Sequence, residues 1–192
     1  AQHKQLEEYD KIILSSDKDF FQLLDDKTVL YRPIQKEVLN KVRVLEKYGI
    51  HPNNFALARA VVGDSSDNLE GVKGVGLPSL VKRFPFLVEE KAYMINELLE
   101  AASTKAQESK LKIYENIALA EDKIKLNYKI MQLASPQISV QSKQKIQQTC
   151  TEHIPEFNKT ELVKLMVKDG IGQVSLSDLY QTFQRIRANY LA

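Results

Sequence analysis

Four aspartates in two short segments are the residues of this sequence whose type and spacing could do chemistry: Asp17, Asp19, Asp64 and Asp67. The first pair shares a face if the backbone is extended, and the second pair shares a face if the backbone makes a helical turn. Carboxylate oxygens are the ligands that hard divalent cations prefer. The two pairs are therefore predicted to hold one Mg²⁺ or Mn²⁺, or part of a pair of such ions.

A second chemical feature follows the second aspartate pair at once. The pattern Leu69-x-x-Val72-x-Gly74-Val75-Gly76 predicts a helix-hairpin-helix, in which two helices meet at a tight glycine turn. The first N–H groups of the second helix lack partners within that helix, and such a terminus binds phosphate. Gly76→Val is expected to block this turn. The residues predicted to contact DNA phosphates are Lys73, Gly74, Gly76, Ser79, Lys82 and Arg83.

The elements that must position these residues follow from apolar spacing. Lys11–Ser16 is predicted to be a buried central strand, with Asp17 at its carboxyl end, where sites form in open α/β sheets. A short helical turn follows the first aspartate pair. The further predicted elements are a strand over Thr28–Tyr31, a helix over Lys36–Tyr48 and a helix over Phe55–Val62 that Gly63 ends. From residue 88 onward the chain is predicted to be helical, although residues 124–133 fit a strand as well as a helix.

Composition limits the classes of protein to which the chain could belong. With 192 residues, 43% of them hydrophobic and 27% charged, it has the make-up of a soluble globular protein of one or two domains. Its net charge of +2 means that any nucleic-acid-binding surface must be local. The single cysteine excludes an internal disulfide framework, and the three scattered histidines do not predict a zinc site. There is no apolar run of membrane-spanning length.

The order of these motifs resembles the 5′-nuclease family. Ser15-Ser16-Asp17-Lys18-Asp19-Phe20-x-Gln22-Leu23 comes first, then Gly63–Asn68, then the glycine hairpin. This family includes phage and cellular flap endonucleases and the 5′-exonuclease domain of bacterial DNA polymerase I. The resemblance implies an α/β fold: residues 1–50 as the C-terminal part of a PIN-like, Rossmann-like nuclease domain, 51–105 as the helix-hairpin-helix region and 106–192 as a helical C-terminal region like that of the phage-type members.

The resemblance also implies an activity. A family member of this kind is a structure-specific flap endonuclease or 5′-3′ exonuclease, RNase H-like in activity, which hydrolyses DNA or RNA–DNA phosphodiesters with two Mg²⁺ or Mn²⁺ ions. By resemblance, Asp17 would lie between the two metals and the other three aspartates would serve mainly the second one. The carbonyls of Val72 and Val75 would hold a K⁺ ion that bridges to DNA phosphate.

Further implied properties concern partners and place. The substrates would be flapped or branched duplex DNA and RNA–DNA hybrids, encountered in DNA replication or repair. The expected protein partners are a single-strand-binding protein or a polymerase. The resemblance implies an intracellular location, in the cytoplasm of a bacterium or of a phage-infected cell, without a membrane.

The sequence also departs from the family pattern. Family members carry an aspartate at the end of a first strand and an acidic cluster on a helix, both before the motif that contains Asp17. Glu7, Glu8 and Asp10 are expected to be charges at a helix end, so the chain is expected to lack the N-terminal carboxylates and to be inactive alone. Three alternatives stay open: a duplex-binding module or subunit of a split nuclease, aspartates that only cap helices, and a hairpin that is only a structural turn.

Overall fold

The structure is a computed structural model that describes residues 7–134, 138–152, 156–172 and 174–191. The chain divides into two compact units, Ala1–Pro136 and Gln137–Ala192. The four aspartates and the glycine hairpin all belong to the first unit. None of the helices in the described part of the chain combines the length and the apolarity that crossing a membrane requires.

The first unit begins with a small mixed sheet. Strand β1 (Lys11–Leu14) runs parallel to β2 (Thr28–Arg32), and β2 pairs in the antiparallel sense with β3 (Glu37–Leu39). A 3₁₀ helix, Lys18–Leu23, follows the carboxyl end of β1 and buries Phe21. The first aspartate pair therefore lies at the carboxyl end of β1, as predicted.

Two predictions about this region are wrong. β1 is not a buried central strand, because within the described residues it pairs only with β2 and lies at the edge of the sheet. Ile12 and Leu14 on its outer face are 71% and 69% exposed. The predicted helix over Lys36–Tyr48 begins later, at Lys41, because Glu37–Leu39 pairs with β2 and Asn40 caps the helix by accepting a hydrogen bond from the Arg43 N–H.

The centre of the first unit is a short helix that is apolar almost all round. Helix α1 (Lys41–Tyr48) and a 3₁₀ turn at Pro52–Asn54 lead into helix α2 (Phe55–Val62), in which every residue from Phe55 to Val61 is buried. The rings of Phe21, Tyr48 and Phe55 meet with centroids 5.0–5.7 Å apart. Such a helix belongs in the middle of a core, and the segments on either side of it carry the aspartates.

The segment after α2 differs from the predicted helical turn. Gly63–Asp64 (β4) pairs in the antiparallel sense with Leu69–Glu70 (β5), so Asp64 lies in a strand and Asp67 in the connecting turn. Strand β4 follows α2 directly, and Gly71, the residue after β5, lies against the last residue of α2. A Cβ on Gly71 would lie 1.9 Å from the Val62 carbonyl oxygen. This close approach requires glycine at position 71. Helix α3 (Leu77–Arg83) follows the glycine turn, but Leu69–Glu70 before the turn is a strand, so the predicted helix that starts at Leu69 does not form and the helix-hairpin-helix stays a prediction.

The rest of the first unit is helical, as predicted, and packs against α2. The helices are α4 (Ile95–Glu108), α5 (Lys112–Leu119) and α6 (Glu121–Met131), so the segment that fitted strand or helix is a helix. Helix α4 packs on α5, and α6 packs on α2. The predicted boundaries after residues 50 and 105 therefore fall inside this unit. The predicted helix-end charges Glu7 and Glu8 lie in a turn.

The second unit consists of helices α7 (Val140–Glu152), α8 (Lys159–Lys168) and α9 (Leu176–Leu191). Asn158 caps α8 by accepting a hydrogen bond from the Glu161 N–H at 3.0 Å. Phe157 contacts Tyr180 and Phe183 of α9, with ring centroids 5.3 and 5.5 Å away. These contacts join α8 to α9.

We expect Gly71→Ala to destabilise the first unit strongly, because its Cβ would overlap backbone that cannot move independently of α2. Overpacking of this kind costs about 1–3 kcal/mol or more in the free energy of unfolding. Gly76→Ala is the matched control, since its nearest neighbour would be Pro78 Cδ at 3.9 Å. Urea denaturation of both variants measures the difference, and equal stabilities would contradict the close approach.

Candidate nuclease site

Arg59 joins the two aspartate pairs. It is the one charged residue of α2, and its side chain is 9% exposed. Its Nε lies 3.3 Å from Asp19 Oδ1, its Nη2 contacts Asp64 Oδ2, and its Nη1 donates to the Gly63 carbonyl at 3.2 Å. Two segments that lie 45 positions apart in the sequence (Asp19 and Asp64) therefore meet at one guanidinium.

The other aspartate contacts are local. Asp17 Oδ1 accepts the Asp19 N–H at 2.8 Å and caps the 3₁₀ helix, so the capping alternative holds for Asp17 without excluding another role. Asp64 Oδ1 accepts the Ser66 N–H at 2.9 Å and the Ser66 hydroxyl at 2.6 Å. Asp17 and Asp67 are exposed, whereas the side chains of Asp19 and Asp64 are 14% and 15% exposed.

A cavity of about 300 Å³ lies among these groups. It is lined by Ser16, Asp17, Lys18, Arg59, Asp64, Ser66 and Asp67. Three of the four predicted aspartates thus face one space, and Asp19 reaches its edge through Arg59. The prediction that the two pairs lie close together agrees with this geometry.

The electrostatics of the cluster are those of crowded carboxylates. Burial raises the pKa of the Asp19 carboxyl above its usual value of 3.8, the nearby Arg59 charge lowers it, and the negative charges of Asp17 and Asp67 raise it again. The net shift of the pKa is upward. Burial is the main cause of this shift, and the excess negative charge of the cluster follows separately from four aspartates beside two cations, Arg59 and Lys18.

The aspartate oxygens are of the kind that a hard divalent cation binds, but they are not grouped around one point. Oxygen ligands and excess negative charge are what Mg²⁺ and Mn²⁺ require. Across residues 7–134, 138–152, 156–172 and 174–191, however, no three carboxylate, imidazole or thiol groups are grouped closely enough to hold a metal ion. Arg59 holds one oxygen of each inner aspartate instead. Metal binding by all four aspartates stays a prediction.

The hairpin turn depends on Gly74 rather than on Gly76. Gly74 has φ +77°, a left-handed conformation that glycine adopts without strain, and the Val75 N–H closes the turn on the Val72 carbonyl at 3.1 Å. Gly76 has φ −112°, which any residue adopts, and a Cβ there has room. The backbone at position 76 therefore accepts a residue with a side chain, and the expectation that Gly76→Val blocks the turn is wrong.

The start of α3 offers fewer free donors than predicted. The Ser79 hydroxyl accepts the Gly76 N–H at 3.1 Å and donates to the Gly76 carbonyl at 2.8 Å. Pro78 has no N–H, so the Leu77 and Ser79 N–H groups are those whose partners the helix itself does not supply. Any phosphate held here would be bound by two backbone donors and by neighbouring side chains.

The predicted cations around the hairpin differ in exposure. Lys73 and Lys82 are exposed, whereas Arg83 is half-buried and its carbonyl accepts a bond from Lys105 Nζ at 2.8 Å. Of the two predicted K⁺ ligands, the Val72 carbonyl already accepts the turn hydrogen bond, and both Val72 and Val75 have buried side chains. The K⁺ site and the DNA contacts stay predictions.

Three residues support the aspartate segments although the sequence predicted no role for them. Besides Arg59, these are Gln22, which bonds the Asp19 carbonyl (2.8 Å), the Met131 carbonyl (3.0 Å) and the Leu133 N–H (2.7 Å), and Asn127, which donates to the carbonyls of Ala60 (3.0 Å) and Glu70 (2.9 Å). Helix α6 thereby holds both aspartate segments in place. Gln22 belongs to the first motif of the family resemblance, whereas Arg59 and Asn127 show in the sequence only as polar residues among apolar ones.

Comparison with known proteins gives relatives named as DNA polymerase I and as 5′-3′ exonuclease. The chain is 36% identical over 128 residues, 67% of its length, to a protein named "DNA polymerase I, thermostable" from Thermus aquaticus, of which it spans 14%. It is 41% identical over 64 residues, 33% of its length, to a "5′-3′ exonuclease" from Aquifex aeolicus, of which it spans 22%. No protein-family model matches the chain.

Among solved structures, the fold matches a bacteriophage T5 flap endonuclease in a complex with DNA and metal ions. The TM-score is 0.53 with 20% sequence identity, and the match covers 64% of this chain and 43% of that one. At this identity the likeness concerns the fold. It confirms the predicted fold class, the C-terminal part of an α/β nuclease.

Asp19 leads to a prediction about pH. Because its pKa is raised, the folded protein holds this proton more tightly than the unfolded chain, so stability falls as the pH rises from 3.8 through the raised pKa. We expect Asp19→Asn to remove this fall in stability. The measurement is urea denaturation of both proteins at a series of acidic pH values.

Glu97 is the control of opposite sign. Its pKa is lowered by hydrogen bonds from Lys91 and from the Met94 N–H, so the stability it contributes is lost as the pH falls from 4.5 through the lowered pKa. Glu97→Gln should remove that loss. If wild type and Asp19→Asn had the same pH profile, the account of the cluster's charge would be wrong.

Proposed function

We propose that this chain, which belongs to the 5′-nuclease family, supplies four aspartates of a metal-dependent active site together with the hairpin that grips duplex DNA. The complete activity would be hydrolysis of DNA or RNA–DNA phosphodiesters at a flap or a 5′ end, with two divalent cations. The observation that carries the proposal is the meeting of Asp19 and Asp64 at Arg59 beside one cavity.

The aspartates would divide the work by their exposure. Asp17 and Asp67 are exposed and would meet a cation and its waters first, whereas Asp19 and Asp64 lie deeper and would complete its ligands. A bound divalent cation supplies activation of water and stabilisation of negative charge on a phosphoryl group. Lys18, which also lines the cavity, would balance charge beside the phosphate.

The hairpin would position the substrate without reading its sequence. The exposed ammonium groups of Lys73 and Lys82 and the backbone donors of Leu77 and Ser79 all suit phosphate oxygens. The T5 flap endonuclease of the same fold was solved with DNA and metal ions, which supports both halves of the proposal. Further proposed partners are RNA–DNA hybrids, a single-strand-binding protein or a polymerase.

A second candidate function is a duplex-binding module or a subunit of a split nuclease, without catalysis of its own. The observation that favours it is that no three metal-ligating groups come together within the described residues. The two candidates differ in metal binding. A nuclease site binds Mn²⁺ through the aspartates, and a module that only binds duplex does not.

The hairpin leads to a prediction about salt. Duplex binding should weaken steeply with salt and be independent of sequence, because each phosphate contact releases counterions. We expect Lys73→Ala and Lys82→Ala each to reduce the salt slope by about one unit, and Arg83→Ala to reduce it less. Lys129→Ala, which removes an exposed lysine of α6, is the control. Equal slopes for all variants would mean that the hairpin does not contact DNA.

The aspartates lead to a prediction about metal and cleavage. Calorimetry with Mn²⁺ should detect weak binding that Asp17→Asn or Asp67→Asn abolishes, whereas Asp122→Asn, on the surface of α6, leaves it unchanged. All variants should keep their duplex affinity. On a 5′-flap substrate we expect little cleavage by the 192-residue chain. Duplex binding without Mn²⁺ binding would favour the second candidate.

A further inference from the structure

We propose that Arg59 is an exchangeable internal cation: its guanidinium neutralises Asp19 and Asp64 in the metal-free protein, and binding of a divalent cation releases it from Asp64. This inference rests on the proposed metal site and adds a residue that no carboxylate motif contains. Arg59 acts on the metal only through the aspartates and is not itself a ligand.

The burial of Arg59 is the first step of the argument. It lies in α2 among buried apolar residues, where an unpaired charge is unfavourable. Its three bonds go to Asp19, Asp64 and the Gly63 carbonyl. The side chains of Asp19 and Asp64 are nearly as buried, so their negative charges are also unfavourable without a positive partner.

The oxygens of Asp64 supply the second step. Oδ1 accepts two hydrogen bonds from Ser66, whereas Oδ2 contacts only Arg59 among the bonds of Asp64 described above, so Oδ2 is the oxygen with a lone pair left for a cation. A divalent cation that binds Asp64 from the cavity would therefore lie beside the guanidinium on the same oxygen. It repels the guanidinium and not the neutral Ser66 groups, so the Arg59 contact is the one to break.

The remaining bonds of Arg59 make the exchange feasible. After release from Asp64, the guanidinium keeps the Gly63 carbonyl, which lies at the C-terminal end of α2, where positive charge is favoured. It also keeps Asp19 at 3.3 Å. Arg59 therefore stays inside the protein while one carboxylate changes partner.

Exchange has a measurable consequence for metal affinity. If the cation must compete with Arg59, removal of the guanidinium charge should tighten metal binding, by at least about fivefold, the lower end of ordinary coupling between two sites. If Arg59 instead only holds the aspartates in place, its removal should weaken binding. The two roles thus predict opposite signs.

The experiment is calorimetry of Mn²⁺ alone against four proteins: wild type, Arg59→Gln, Arg59→Lys and Arg32→Gln. Arg32 is the control, because its side chain is also 9% exposed and pairs with a carboxylate, Glu37, that does not line the cavity; it meets the cavity lining only through the Ser16 carbonyl, 3.4 Å from its Nη2. We expect tighter binding for Arg59→Gln and affinities near that of wild type for Arg59→Lys and Arg32→Gln. Unchanged or weaker binding by Arg59→Gln would overturn the proposal.

A second measurement uses wild-type protein, in case Arg59→Gln does not fold. The Nε–H resonance of Arg59 is followed by NMR during titration with diamagnetic Mg²⁺. Exchange predicts that this resonance shifts while that of Arg32 does not, and an unmoved Arg59 resonance at saturating Mg²⁺ overturns the proposal. If neither wild type nor any variant binds metal, the proposed metal site fails as well. If wild type binds but Arg59→Gln binds no tighter, only the exchange fails.

Discussion

One buried positive charge sets the arrangement of the first unit. Helix α2 is buried along almost its whole length, yet its fifth residue is Arg59. A guanidinium in that position is tolerated only with carboxylate partners, and breaking a buried pair of this kind costs about 3–5 kcal/mol. The 3₁₀ helix after β1 and the strand after α2 supply those partners, Asp19 and Asp64. The requirement to neutralise one side chain thus brings the two acidic motifs together.

The helical part of the first unit completes this arrangement with neutral polar groups. Asn127 is 3% exposed and bonds carbonyls at the end of α2 and in β5. Asn54, fully buried, donates to the carbonyls of Leu87, Glu89 and Lys91 and accepts the Tyr93 N–H. Buried amides of this kind satisfy backbone groups that would otherwise lack partners. Helix α6 and the segment that leads into α4 are therefore part of the framework that holds the site.

Much of the fold could be predicted from the sequence where the signal is local. The strands over Ile12–Leu14 and Thr28–Tyr31, the helix ended by Gly63 and the carboxylate pairs all follow from spacing and from turn residues. The errors have a different cause. Glu37–Leu39 has helical spacing but pairs with β2, and Asp64 lies in a strand because Leu69 is its partner. In both, pairing with another segment overrides local preference.

The site was predictable in its residue types but not in its connections. Paired aspartates are recognisable because metal chemistry needs them, whereas Arg59 looks like a surface residue until α2 is known to be buried on every side. The need for glycine at position 74 rather than 76 likewise depends on one dihedral angle, which the sequence Gly-Val-Gly does not specify. Burial and backbone conformation are properties of the folded chain.

The side chain of Gln22 determines when the site can exist during synthesis. It connects the segment of Asp19 to Met131 and Leu133, partners that lie 109 and 111 positions later in the chain. Contacts between such distant positions form late, since a long stretch of chain must be ordered before they do. A ribosome that has released the aspartates but not yet residue 133 therefore carries an acidic loop that is not yet fixed. The negatively charged cluster takes its final form only after α6 has been made.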